Sequence, residues 1–377
     1  MKIKIICFLL LGFFVFSGMK YQPSQVSCGA KSMVVIEQDS KRVLYEKNMN
    51  DQLAMASTTK IMTALCVLKN TQDFETELEI DSRAVGIEGT SMYLRKGEKL
   101  STKDLLYGMM LPSGNDAATA LALRVSGSIE EFAKLMNEEA KNLNLENSSF
   151  KNPHGLDEKD HYTSAYDLAI ITAEAMKFPL FNEIIKTKFV TLKGYDDENH
   201  RYLKNKNKLL SLFKGCTGVK TGFTDNAGRC FVSSATRNGM SVICVVLNCP
   251  NMFEDAAKFM QKAFDEYENY ELLPAYNFYR KADVIDGKQE VVKLWTKKGF
   301  CYPLTKDEYL KVSYEYELDQ PLVAPLEKEQ IVGKVKIKLD DKVLFEENIY
   351  TIDEIKSNSI LENIKDIGKN WNLANIV

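Results

Sequence analysis

The chain has 377 residues, 45% of them hydrophobic and 27% charged, enough for about two domains with ordinary cores and too apolar for a disordered chain. Its 49 basic and 52 acidic residues leave a formal net charge of -3, which gives no footprint for a nucleic-acid partner. With only His154, His161 and His200, and no Cys-x-x-Cys pair among 8 cysteines, the usual zinc clusters are excluded and no metal is expected.

Lys2 and Lys4 precede an apolar run from Ile5 to Phe16 and then Ser17-Gly18, the pattern of an export signal. The run is short for a bilayer span, so a cleaved leader is expected rather than a permanent anchor. Cys28-Gly29-Ala30 offers a cut site, which assigns residues 1–30 to the signal and the mature protein to the extracytoplasmic side. Cys216 and Cys230 could pair after export, but buried free thiols are the expected state of the remaining cysteines.

Met33–Ile36 and Arg42–Tyr45 flank the turn residues Asp39-Ser40-Lys41, which predicts a hairpin. After Ser57, the apolar residues Ile61, Met62, Leu65 and Leu68 recur at helical spacing, so Ser57 sits at or near a helix N-terminus. Ser101 with Asp104 starts a second helix, from about Thr102 to Met110, that must stop near Pro112. This leaves Ser113-Gly114-Asn115 in a loop before helices from Asp116 and over Ile129–Leu143. Between Val219 and Cys249 the pattern turns to strands, and Val242–Leu247 is apolar enough to lie centrally in a sheet.

A helical stretch from Ala256 to Tyr267 is followed by the alternating segments Val291–Leu294, Leu310–Tyr314 and Val332–Leu339, broken by Pro303, Pro321 and Pro325. The order of strands, helices and strands predicts an α+β region over 31–273 whose sheet is assembled from both ends, then a small all-β domain over 275–350. In the tail, 351–377, Ser359 with Glu362 forms a capping box, and Ile360, Ile364, Ile367 and Trp371 share a helical face. An interfacial helix giving peripheral membrane contact and a helix docked on its own protein both fit that stripe.

Three signatures carry chemistry: Ser57-Thr58-Thr59-Lys60, Ser113-Gly114-Asn115 and Lys220-Thr221-Gly222. Ser-x-x-Lys also occurs at Ser17, Ser148 and Ser211, but only the copy at Ser57 opens an apolar helix, where residues three apart share a face. There the Lys60 amine can reach the Ser57 hydroxyl. A lysine at its ordinary pKa of about 10.4 cannot accept that proton near neutrality. Burial or a neighbouring cation must lower it, and Lys220 is the candidate neighbour. Ser113 can relay a proton to a leaving amine, and Asn115 can donate and accept at a substrate amide. On a strand, Lys220 and Thr221 suit a carboxylate, while Gly222 admits close approach of a substrate backbone. Together the set reads as an acyl-transfer site.

These signatures sit within Ala56–Thr63, Leu111–Ala118 and Gly218–Thr224, and with Asn152–Asp157 and His161–Leu168 they resemble the serine D-alanyl-D-alanine carboxypeptidases, the low-molecular-mass penicillin-binding proteins. Ala324-Pro325-Leu326 and Val332-Gly333-Lys334 resemble that family's C-terminal domain. The resemblance implies a penicillin-binding, serine β-lactamase-like transpeptidase domain, α+β, with an antiparallel sheet covered by helices.

It further implies Ser57 as the acylated nucleophile, Lys60 as its base and Ser113 as the relay. Asn115 would hold the peptide, Lys220 and Thr221 its terminal carboxylate, and Gly222 would lie on the binding strand. The backbone N–H groups of Ser57 and Phe223 would form the oxyanion hole. The implied substrate is the D-Ala-D-Ala end of peptidoglycan stem pentapeptides, the implied inhibitors are β-lactam antibiotics, and no cofactor is implied.

The family often carries an arginine after the last sheet strand that helps hold the carboxylate, whereas Cys249–Asp255 here has none. A serine β-lactamase shares the three signatures. It wants Asp where Gly114 stands, and Glu139 falls one residue too far from Leu143-Asn144 for its usual motif. A wall-binding module with a vestigial site is the reading from another class, and the complete nucleophile, base and relay set argues against it.

Overall fold

The computed structural model describes residues 24–194, 199–276, 278–319 and 321–358. The apolar leader up to residue 23 and the tail stripe from Ser359 onward lie outside the described residues.

The central sheet has the order Ser24–Gln25, Val43–Lys47, Ser32–Glu37, Met240–Leu247, Gly228–Arg237, Cys216–Thr224. All neighbours are antiparallel except the first, two-residue pair. The predicted N-terminal hairpin is thus joined to the C-terminal strands by pairing of Ser32–Glu37 with Met240–Leu247. Met240–Leu247 is central and alternates strictly: Ile243, Val245 and Leu247 face one core, and Val242, Cys244 and Val246 face the other. The first core is filled by the helices between residues 60 and 186, and the second by the helix Met252–Glu266. The fold is therefore a three-layer helix–sheet–helix arrangement.

The helix Lys60–Asn70 is buried on every side from Lys60 to Leu68, so it runs through the core rather than along its surface. Thr102–Met110 begins with the expected capping box between Ser101 and Asp104. It ends before Pro112, and Asn115 opens the next helix, Asn115–Ser126, one residue earlier than its periodicity indicates.

The second body is a six-stranded sheet with its own core, including Leu294, Val335, Ile337 and Ile349. Glu268–Leu273, which the sequence pattern leaves with the first region, pairs with Phe300–Leu304 and adds Leu272 and Leu273 to this second core. Arg42 ties the two bodies together. Its guanidinium donates to the Pro303 carbonyl and to Glu308 and lies 5.3 Å and 5.1 Å from the rings of Tyr267 and Tyr302.

Residues 24–30 are part of the sheet region. The Val26 N–H donates to Glu46 O at 3.1 Å, and the Lys47 ammonium donates to the carbonyls of Cys28 at 2.9 Å and Ala30 at 2.6 Å. A leader ending at Ala30 would remove these contacts. Every cysteine among the described residues is a free thiol, so Cys216 and Cys230 are not bridged; Cys230 is buried, Cys216 half-buried and Cys301 exposed.

Candidate active site

Ser57 lies in the 3-10 turn Ala56–Thr59 that feeds directly into the buried helix Lys60–Asn70. Hydrogen bonds hold the turn from behind. Thr58 Oγ1 donates to Met55 O at 2.6 Å, and Thr59 Oγ1 donates to Ala56 O at 2.9 Å. His161 Nδ1 accepts from the Lys151 N–H at 3.0 Å, so its proton sits on Nε2 and is donated to Thr59 Oγ1 at 2.9 Å. Burial pushes the His161 imidazole down to about 4 and that of His154 to about 3, so both are neutral near pH 7.

Two glycines allow the turn to be enclosed. A Cβ on Gly155, whose φ is +88°, would stand 1.9 Å from Ala56 O. A Cβ on Gly222 would stand 3.0 Å from Ser57 N and 3.1 Å from Met55 O. The close approach that Gly222 permits in this structure is to the nucleophile's own turn. The missing side chain lets the edge strand Cys216–Thr224 press against residues 55–58.

Lys60 is wholly buried, and three oxygens surround its amine: Ser57 Oγ at 3.0 Å, Asn115 Oδ1 at 2.7 Å and the His154 carbonyl at 2.6 Å. The last two can only accept. The Asn115 amide is oriented by its Nδ2, which donates to the Glu88 carbonyl at 2.6 Å. A neutral amine has two protons and one lone pair, so its N–H groups go to Asn115 and His154 and the lone pair is left for the Ser57 hydroxyl. Burial, then the charges of Lys220 and Lys206, hold Lys60 well below its ordinary pKa against a smaller opposing effect of Asp116. These causes shift Lys60 toward the neutral form that proton abstraction needs.

Ser113 closes the other side. Its φ is +75°, and its Oγ is buried without a hydrogen-bond partner among the described residues. Lys220 is buried too, donates to the Thr221 carbonyl at 3.0 Å, and is lowered to about 7 by burial and then by Lys206. Thr221 is half-buried, and Phe223 stands at the rim with 61% of its surface exposed. The fold thus brings all three signatures to one place, although residues 57 and 220 are separated by most of the first region.

The sequence profile of the D-alanyl-D-alanine carboxypeptidase family matches residues 19–251, and that of the penicillin-binding protein 5 C-terminal domain matches residues 267–357. The chain belongs to the D-alanyl-D-alanine carboxypeptidase family. It is 35% identical over 356 residues to D-alanyl-D-alanine carboxypeptidase DacF of Bacillus subtilis, covering 92% of this chain and 91% of that relative. With D-alanyl-D-alanine carboxypeptidase DacA of Haemophilus influenzae it shares 32% over 366 residues, covering 93% and 89% of the two chains. The crystal structure of penicillin binding protein 5 from Haemophilus influenzae superposes with a TM-score of 0.74 at 30% identity, over 90% of this chain and 100% of that one.

In this D-alanyl-D-alanine carboxypeptidase family member, Glu139, the carboxylate weighed for a β-lactamase, bonds Lys69 Nζ at 2.5 Å near the far end of the buried helix. Four groups at the family site escape sequence reasoning: the carbonyls of His154 and Glu88, the side chain of Asp116, and Lys206. Carbonyls leave no sequence signal. Asp116 could have been suspected as an acid in the first turn of a helix.

Asp116 is fully buried. Its carboxylate accepts from the backbone N–H groups of Met92 and Leu94, both at 3.0 Å, from Ala117 N–H at 2.9 Å, and from Ser91 Oγ at 2.6 Å. It fixes the 91–94 segment beside the loop that orients Asn115. Asp116→Ala leaves those donors buried and unpaired, and chemical denaturation should register a loss of about 3 kcal/mol. A loss under about 1 kcal/mol would mean that the segment is held by other contacts.

Proposed function

We propose that this chain works as a serine-type D-alanyl-D-alanine carboxypeptidase through the residues assembled around Lys60. The Ser57 oxygen attacks the carbonyl of the penultimate D-alanine while Lys60 takes the hydroxyl proton. The backbone N–H groups of Ser57 and Phe223 receive the developing oxyanion, in line with the close packing of the Gly222 strand on the Ser57 turn. The C–N bond then breaks, and Ser113 relays the proton taken up by Lys60 to the leaving amine of the terminal D-alanine, which returns Lys60 to its neutral form. Water hydrolyses the Ser57 ester, releasing a stem shortened by one residue and restoring the hydroxyl. Lys220 and Thr221 bind the terminal carboxylate. Asn115, with both ends of its amide engaged, orients Lys60 rather than gripping the peptide alone.

One observation carries this reading: a buried amine 3.0 Å from a serine hydroxyl, with its two other neighbours able only to accept hydrogen bonds. A β-lactam that mimics the D-Ala-D-Ala end would acylate the same serine and block it. The role is peptidoglycan trimming during cell-wall maturation, outside the cytoplasmic membrane, after export on the N-terminal leader. The contacts made by residues 24–30 favour a cut before Ser24 rather than after Ala30. Peripheral membrane contact belongs to the tail stripe of Ile360, Ile364, Ile367 and Trp371.

Incubating the purified protein with a stem pentapeptide and weighing the products by mass spectrometry tests the reading. One D-alanine should be released per peptide, and prior treatment with penicillin should stop it. A stem left intact by the untreated enzyme refutes it.

A further inference from the structure

The antiparallel strands Phe189–Lys193 and His200–Lys204 form a hairpin with two unlike faces. The inner face is fixed. Leu192 and Leu203 enter the first core, and Arg201 donates to the carbonyls of Met92 and Tyr93, both at 2.9 Å, and to Glu98. The outer face pairs Phe189 with Lys204 and Thr191 with Tyr202 across the strands. The rings of Phe189 and Tyr202 serve neither core of the first region and stay 68% and 80% exposed. Folding alone gives two bare rings on one such face no purpose.

Both rings line an open groove of about 1410 Å³, together with Leu212, itself 75% exposed on the short helix Leu209–Leu212. Its lining holds Lys188, Lys204, Lys206 and Lys208 and neither an acid nor an arginine. Lys206 acts on Lys60 and Lys220 and belongs with the catalytic groups, whereas the other three act on neither. Among the described residues no carboxylate pairs with those three. The Lys204 ammonium lies 5.7 Å from the Phe189 ring, and that of Lys208 lies 5.6 Å from the Phe253 ring. A chain whose formal net charge is -3 thus gathers exposed, uncompensated cations along one groove.

We propose that this groove docks an anionic wall polymer whose repeating units are joined by phosphodiesters, at a surface separate from the catalytic cleft. The sign of the charge selects an anion. Lysine is a point charge that meets phosphate oxygens from many directions, whereas the planar fork that best fixes a carboxylate needs arginine, which the groove lacks. Phe189, Tyr202 and Leu212 cover the carbon skeleton between the phosphates. A concave surface accepts a chain, while a bilayer needs an apolar face that can sink into it. Pro112 borders the groove one residue before Ser113, so a docked polymer would keep the enzyme on the wall with its site beside the strand. The proposal goes beyond the carboxypeptidase reading and needs neither Ser57 nor Lys60.

Fluorescence anisotropy of end-labelled poly(glycerol phosphate) with the purified protein tests it. The triple variant Lys188→Gln, Lys204→Gln, Lys208→Gln should weaken binding about tenfold at low salt and flatten its salt dependence. Tyr202→Ser should weaken binding about threefold and leave that dependence unchanged. Poly-γ-glutamate, which carries carboxylates instead, should bind the wild type about fivefold more weakly. An excess of stem pentapeptide should not displace the polymer. Unchanged affinity in the triple variant would overturn the proposal, and so would equal affinity for the two polymers. Displacement by the stem peptide would put the polymer in the catalytic cleft, and binding to phosphatidylglycerol vesicles but to neither polymer would make the face a membrane contact; either result overturns it. Binding is read without turnover, so an enzyme that trims no stem leaves this result intact.

Discussion

Ser57→Ala should abolish the covalent adduct with a fluorescent penicillin and lower D-alanine release by a factor on the order of 10⁴ or more, as for other deletions of a nucleophile. The Ser57 hydroxyl meets one side chain, Lys60, at 3.0 Å, and lies in a turn held by Thr58, Thr59 and His161. Removing one oxygen therefore leaves the fold intact, with a stability change within about 1 kcal/mol. The loss of activity is then chemical rather than structural. Melting curves of the two proteins should nearly coincide, while gel fluorescence separates them completely. An adduct that persists on the alanine variant would place the nucleophile elsewhere and remove the Ser57 turn from the mechanism.

The pH profile of acylation should be bell-shaped, with its acidic limb set by Lys60 and its basic limb by Lys220. Lys60 acts as a base only when neutral, so the rate rises as pH climbs through its lowered pKa. Lys220 attracts a carboxylate only when charged, so in the free enzyme the rate of productive binding falls as pH rises through about 7. Lys220→Gln removes a positive neighbour from Lys60. The charged form of Lys60 then becomes less costly, its pKa rises, and the acidic limb should move to higher pH while the basic limb flattens. Profiles of kcat/KM across pH 4 to 10 for both proteins, on a stem peptide, decide this; an acidic limb that stays in place would leave burial and Lys206 as the causes of the lysine's low basicity.

Several features of the chain are legible because their causes are local. The Ser101–Asp104 capping box, the hairpin about Asp39-Ser40-Lys41 and the helix behind Ser57 depend on residues within a few positions of one another, so spacing is enough to read them. The Ser-x-x-Lys, Ser-Gly-Asn and Lys-Thr-Gly signatures are likewise local, and their joint presence already specifies acyl transfer as the chemistry.

Tertiary structure decides what depends on distant segments. The pairing of Ser32–Glu37 with Met240–Leu247, and of Glu268–Leu273 with Phe300–Leu304, follows from which partners best cover two cores, which no short window contains. Gly222 is needed for the Ser57 turn, Asn115 is engaged by both Lys60 and the Glu88 carbonyl, and Lys206 joins the site from a segment with no signature of its own. The reactive groups of this protein, and the helices and strands that bear them, follow from the local order of its residues. The folded chain alone decided their ionisation, because desolvation and Coulomb forces act through space and depend on everything packed around the charge.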